Sequence, residues 1–299
     1  MRPADPGGSD ESVLRFPGMV GGWVRAPSGR VVGRLDDLVV RLGVPLPMVR
    51  GLVVTGSGRP PAPVTWTEIA SIGADGVLLA AEPTHGTPSF QLAGDELLLR
   101  RDVLDVQVLD LLGRRSGRVA EVLLLRVPGR RLEVVGVDIG PAALCRRLGL
   151  GRLCGRLAER VVAWPDLHLR SSRGHSVQLA TEGSAVHRVD AGGLAELLTR
   201  LEVEPGTQVV RAVGPRRAAE AVALAHPVVG KRIVRALPQD LASDVLAELP
   251  AHHRRRYRQL LASGTPVTGR RFLRSHGWLL HRPGAPRGRP AGPASKDGV

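Results

Sequence analysis

Lysine and cysteine are nearly missing from this chain of 299 residues: of 42 basic residues only Lys231 and Lys296 are lysines, and the only cysteines are Cys145 and Cys154. Two cysteines cannot supply the disulfide framework of a small secreted domain, so both are expected to be reduced. Long apolar runs are missing too, with no window approaching the ~18 uninterrupted apolar residues of a membrane span. The opening residues, Met1-Arg-Pro-Ala-Asp-Pro-Gly-Gly-Ser-Asp10, lack the apolar centre of a signal peptide. These absences predict a cytoplasmic protein with no transmembrane segment. Hydrophobic content of 43% is ordinary for a soluble protein, and the length suggests two or three domains.

What the chain has in excess is arginine, with a net charge of +14. The 40 arginines stand beside 37 Gly and 24 Pro, the residues of G+C-rich codons, so part of the charge is compositional. It is also unevenly placed. From Arg254 onward eleven basic residues face one acid, Asp297, so that stretch carries +10 and the rest of the chain about +4.

An internal repeat organises the first half. Val24-Arg-Ala-Pro-Ser-Gly29-Arg-Val-Val-Gly33-Arg34-Leu-Asp-Asp37 recurs, offset by 84, as Val108-Leu-Asp-Leu-Leu-Gly113-Arg-Arg-Ser-Gly117-Arg118-Val-Ala-Glu121. Gly51-Leu-Val-Val then matches Gly136-Val-Asp-Ile, and Val64-Thr-Trp66-Thr-Glu68-Ile69 matches Val162-Ala-Trp164-Pro-Asp166-Leu167. Short Val/Leu/Ile runs broken by glycine turns read as strands, Gly29 and Gly113 serving turns and Gly33 and Gly117 a bulge or close approach. Each copy is expected to end in a further strand, Val77–Ala80 or Val177–Ala180. The tryptophans read as core plugs. An insertion between Ile139 and Val162 has leucines at 144, 148, 150, 153 and 157, which suggests two short amphipathic turns with arginines on the opposite, solvated side.

Beyond about residue 186 the period changes. Prolines 215, 227, 238 and 250 recur every 11 or 12 residues, each suited to a first helical turn. Apolar positions at helical spacing follow them: Ala218, Ala221, Val222 and Ala225; Val229, Ile233, Val234 and Leu237; Leu241, Val245, Leu246 and Leu249. A preceding helix is marked by Leu194, Leu197, Leu198 and Leu201. Helices of about ten residues are marginal alone and are expected to stack as a superhelical array. The end, from Pro283, is nearly all Pro, Gly, Ala and charge and is expected to be disordered.

The repeated pattern Asp105-Val-Gln-Val-Leu-Asp-Leu-Leu-Gly113-Arg-Arg-Ser-Gly117-Arg-Val-Ala-Glu121, with its paired glycines and late Trp, resembles the PRC-barrel domain of the photosynthetic reaction centre H subunit and the ribosome maturation factor. Leu237-Pro-Gln-Asp240-Leu-Ala-Ser-Asp244-Val-Leu-Ala-Glu-Leu249-Pro250 resembles the cytoplasmic N-terminal domain of MgtE-type magnesium transporters. In this order the two resemble actinobacterial soluble proteins that fuse PRC-barrels to an MgtE-like domain, here without a CBS pair or membrane helices. The resemblance implies an α+β protein: a disordered N-terminus (1–12), PRC-like β-barrels (13–92 and 97–183), a superhelical array of short α-helices (187–264) and a basic, largely disordered tail (265–299). It further implies a non-enzymatic binding or regulatory protein linked to magnesium homeostasis. Its protein partner would be a transporter, a CBS-containing protein or a second copy. Asp240, Asp244 and Glu248, one helical turn apart on one face, are the candidate Mg²⁺ ligands, and a solvated acidic stripe is the plain alternative.

Other chemistry is thinly represented. A phosphate-binding loop fails at Lys231, where Ala225 replaces the first glycine and Arg232 the Ser or Thr. Gly149-Leu-Gly-Arg-Leu-Cys-Gly155 misses the dinucleotide fingerprint by one residue. Cys145 and Cys154 have no histidine at zinc-finger spacing, His252 and His253 are expected on different helix faces, and no catalytic constellation of Ser or Cys with His is recognisable. Arg254, Arg255, Arg256, Arg258, Arg270, Arg271 and Arg274, interleaved with Tyr257 and Trp278, form a candidate surface for nucleic acid or an anionic membrane. The resemblance to the barrel of the ribosome maturation factor implies, as the alternative function, an RNA- or ribosome-associated PRC-barrel protein that uses this basic C-terminal region.

Overall fold

Short β-branched and leucine runs separated by turn residues form fourteen strands in a computed structural model that describes residues 13–56, 59–83, 91–127, 131–150 and 157–262. The expected disordered N-terminus, 1–12, and tail, 265–299, lie outside the described residues. The strands are β1 (Val13–Arg15), β2 (Trp23–Arg25), β3 (Val31–Arg41), β4 (Met48–Gly56), β5 (Arg59–Thr65), β6 (Ile69–Gly73), β7 (Gly76–Leu79), β8 (Glu96–Leu98), β9 (Gln107–Asp110), β10 (Arg115–Arg118), β11 (Glu121–Val127), β12 (Arg131–Asp138), β13 (Val161–Ala163) and β14 (Leu167–Leu169). The helices are α1 (Phe16–Met19), α2 (Pro141–Arg147), α3 (Ser172–Ala180), α4 (Ala185–Arg188), α5 (Ala191–Arg200), α6 (Val203–Val213), α7 (Pro215–Leu224), α8 (Pro227–Ala236), α9 (Gln239–Glu248) and α10 (Ala251–Ala262). The expected α+β class holds: a curled half-barrel sheet precedes a helical array.

The repeat is structural as well as sequential. In each copy a strand carrying a glycine pairs with the strand before the tryptophan, Gly51 opposite Thr65 and Gly136 opposite Ala163. A Cβ would stand 2.4 Å from the Val64 carbonyl oxygen at Gly51 and 2.5 Å from that of Val162 at Gly136, so both sites admit only glycine. One turn of 3-10 helix beginning at Trp66 or Trp164 then leads into β6 or β14. Both rings pack on the core, as expected. In the second early turn the positive φ falls on Arg114 rather than Gly113.

The two copies do not fold as independent sheets. β1 pairs with β11 and β12 with β4, which joins strands of both copies into one eleven-stranded sheet. β3 is continuous over eleven residues, whereas its counterpart is divided into β10 and β11, and β10-β9-β14 forms a separate three-stranded sheet. β9 serves two cores. Because successive side chains of a strand point to opposite faces, Val108 enters the cluster shared by both copies while Leu109 packs into the cluster of the helical array.

Three expectations are corrected here. The segment Val177–Ala180 belongs to helix α3, not to a strand. In the first copy a turn leads into Gly76 at φ +129° and the chain returns as β7. In the second, the Ser171 side chain accepts from the Gly174 amide at 3.3 Å and caps a helix. Gln178 then takes the place of a neighbouring strand, accepting from the Leu169 amide at 2.7 Å and donating to the Leu167 carbonyl at 3.1 Å. The insertion is inverted as well. Leu144, Leu148, Leu150 and Leu157 are exposed, while Ala142 and Ala143 are buried and Arg146 of α2 turns inward; Arg147 pairs with exposed Asp105, and Leu153 lies outside the described residues. Arg146 reaches buried Glu121 at 3.0 Å and fully buried Asp138 at 3.1 Å. Burying those carboxylates unpaired would cost more than exposing leucines, so the charges set the rotation of the helix. Cys145 on α2 is disulfide-bonded, against the expected reduced state; the chain's other cysteine, Cys154, lies outside the described residues.

The helical array follows its proline punctuation. Pro215 and Pro227 begin α7 and α8, Pro238 is the N-cap of α9, and Pro250 precedes α10. Packing skips one helix, α5 on α7 on α9 in one row and α6 on α8 in the other, so each short helix buries its apolar stripe between two rows.

Candidate functional site

Among the described residues, those singled out in the sequence do not converge. Asp240, Asp244 and Glu248 are all exposed on α9, and no group of three potential metal ligands is found among the described residues. Arg254 Nη2 donates to the carbonyls of Ala247 and Leu249, at 3.0 Å for the latter, and so caps the end of α9. Arg255, Arg256 and Arg258 are exposed, and Arg270, Arg271 and Arg274 lie outside the described residues. Tyr257 cannot stack on a base, which corrects the expectation for that aromatic; Trp278 lies outside the described residues. Tyr257 is 2% exposed, its hydroxyl donating to the Val222 carbonyl at 3.0 Å, and it lies over Gly230, where a Cβ would stand 1.9 Å from that hydroxyl. His252 and His253 do not diverge either; their ring centroids are 4.1 Å apart.

The site that the fold builds lies where the three-stranded sheet meets α3. Along β14 the side chains alternate: Leu167 and Leu169 enter the β core, and His168 turns to the opposite face. His175, one turn into α3, comes down on it. His168 Nε2 and His175 Nδ1 are 2.8 Å apart, with the rings edge to face at 83°. Both imidazoles are buried, 0% and 4% exposed. Burial, followed by the neighbouring His175 and Arg170, pushes the His168 pKa down to about 3. Burial lowers His175 as well, against a raising influence of the Gln208 side chain. Both rings are therefore neutral at physiological pH and share one proton between the facing nitrogens.

His175 also lines an open pocket of about 310 Å³. Arg170, Ser172 and Ser176 stand beside it, and Leu201, Glu202, Glu204, Pro205 and Gln208 come from the end of α5 and the start of α6. His175 Nε2 and His168 Nδ1, the outer nitrogens of the pair, are buried with no hydrogen-bond partner. Although Gln208 bears on the charge state of His175, its amide does not reach a bonding geometry with Nε2. Sequence reasoning missed this site. Its only local trace is the alternation Leu-His-Leu in β14 with a second histidine seven residues on, and that trace needs α3 to be a helix before it means anything.

Compared with known proteins, the chain matches no family model, and a search of curated proteins finds no match.

Proposed function

We propose that this protein is a non-enzymatic regulatory binding module whose ligand occupies the pocket between the three-stranded sheet and the helical array. One observation carries the reading: a strand and the first long helix after it are tied through two buried neutral imidazoles, the outer of which borders an open pocket. An occupant bonded to His175 acts on both elements at once, and such a differential contact is what biases a conformational equilibrium. α6, which supplies the far side of the pocket, packs on α7 and α8, giving a physical route into the array. Burial lowers the pKa of both imidazoles, that of His168 to about 3, and so makes them weaker bases, which favours a binding role over proton transfer. The exposed arginines of α10 offer a protein partner an acidic-surface match. The exposed carboxylates of α9 add no observation in favour of magnesium.

Filling the pocket tests the reading without a ligand. Ser176 is exposed on the pocket rim, so Ser176→Trp places a ring in the cavity with the fold intact. Amide hydrogen exchange is expected to change in α7 and α8 as well as in α3 and α6. Changes confined to α3 and α6 would remove the regulatory role.

A further inference from the structure

The two sides of the pocket differ in chemistry. The side built by β14 and α3 presents a guanidinium, Arg170, the hydroxyls of Ser172 and Ser176, and the first turn of α3 with its N-terminal partial positive charge. The side built by α6 presents the carboxylates of Glu202 and Glu204. The hydrogen bonds these charges make are to neutral amides: Arg170 Nη1 donates to Gln107 Oε1, and Glu204 accepts from Gln208 Nε2 at 3.3 Å. Opposite charges thus border one cavity, Arg170 and Glu204 each with a neutral partner.

The histidine pair supplies a third, independent feature. With one proton between His168 Nε2 and His175 Nδ1, two tautomeric arrangements exist. If His175 held that proton, His168 Nδ1–H would be an orphaned donor in the fully buried interior. If His168 Nε2 holds it, the deep orphan is only a lone pair and the orphaned N–H is His175 Nε2, on the ring that lines the pocket. Each arrangement leaves one N–H and one lone pair without a protein partner, and only the second puts that N–H on the ring bordering the pocket, so a carboxylate in the pocket selects it. In that arrangement a buried donor belongs to the ring that lines the same cavity as Arg170.

We infer that the pocket binds a small zwitterion of the amino-acid type, its carboxylate held by Arg170 and His175 Nε2–H and its ammonium by Glu202 and Glu204. The volume, at the small end for ligand pockets, suits such a metabolite and not a nucleotide. This identification rests on the pocket being the ligand site proposed above.

Isothermal titration calorimetry on the full chain tests it with glycine, β-alanine and γ-aminobutyrate, which separate the two charges by growing distances, and with acetate and methylammonium, which carry one charge each. At least one amino acid is expected to bind about tenfold or more tightly than either single-charge probe. Arg170→Gln should weaken it by about tenfold, and Glu202→Gln with Glu204→Gln should weaken it while leaving acetate unchanged. In the wild type the His175 ring resonances should shift on saturation. Acetate binding as tightly as every amino acid would overturn the zwitterion and leave the pocket as a carboxylate site. Amino-acid binding that is indifferent to Arg170→Gln, or no heat from any probe at about 10 mM, would overturn the inference too, and the exchange experiment on Ser176→Trp would still decide the regulatory reading.

Discussion

The two copies of the repeat share their strands, their tryptophan turns and their indispensable glycines, yet they treat a buried acid and a final element in opposite ways. At the matched positions Asp37 and Glu121, offset by 84 residues, the first copy satisfies its carboxylate with backbone and the second with arginine. Asp37 accepts from the amides of Leu38 and Arg100 at 2.7 Å and of Arg101 at 3.1 Å, the last two belonging to the segment that opens the second copy. Glu121 is held by Arg15, from the strand that crosses over from the first copy, and by Arg146 of the inserted helix. Each acid therefore stitches one copy to the other. The first copy closes with a hairpin, β6 to β7, and the second with helix α3, so only the second has a face on which the array can dock. A shared local grammar thus gives two different surfaces, and the pocket exists on the one that departs from the repeat.

The comparison can be broken at three strengths. Gly51→Ala and Gly136→Ala should each cost about 3 kcal/mol, because the obstructing atom is a backbone carbonyl that cannot turn aside. Chemical denaturation of the two variants should give similar losses, and a loss below about 1 kcal/mol in either would show that the copies are not equivalent there. Glu121→Gln should cost about 2 kcal/mol, since it removes charge-assisted bonds to two arginines that are themselves part-exposed. The same measurement returning about 0.5 kcal/mol or less would mean that Asp138 and Glu159 suffice to hold Arg146.

The smallest effect is one of slope. Burial pushes the Asp37 pKa up to about 6, whereas that of His168 falls to about 3. A buried acid with a raised pKa binds its proton more tightly folded than unfolded, so its contribution is lost as pH rises from about 4 to 6. A histidine with a lowered pKa does the reverse: the unfolded chain takes the proton, and stability is lost as pH falls from about 6.5 towards 3. The two oppose each other between about pH 4 and 6, with His175 adding to the His168 side. In urea titrations over this window, His168→Gln should make the dependence of stability on pH less positive by about 1.4 kcal/mol per pH unit, and Asp37→Asn should make it more positive. Equal slopes in wild type and His168→Gln would mean that His168 is not held neutral.

Much of the chain is legible locally. The glycines of the repeat, the strands before each tryptophan and the proline-spaced helices are all fixed by turn chemistry and by periods of two or 3.6 residues. The candidate site is legible hardly at all. The charged runs that drew notice, Asp240 to Glu248 and Arg254 to Arg258, are on exposed faces or cap a neighbouring helix. His168 and His175, which drew none, are brought together by a strand and a helix where a second strand was expected. The leucines of the insertion misled for a related reason: periodicity ranks apolar residues for burial but takes no account of carboxylates already buried nearby, Glu121 and Asp138, to which Arg146 answers.

By itself, then, the sequence determined which segments are strands or helices over most of the chain, the doubling of the β unit and the α+β order, since these depend on neighbours within a few residues. The tertiary structure alone decided that the two copies share a sheet, that α2 turns Arg146 inward, that α3 is a helix closing the edge of β14 through Gln178, and that two histidines meet beneath a pocket. Each of those outcomes settles where a buried charge, a strand edge or an imidazole nitrogen finds its partner, and such partners lie too far along the chain for local pattern to name them.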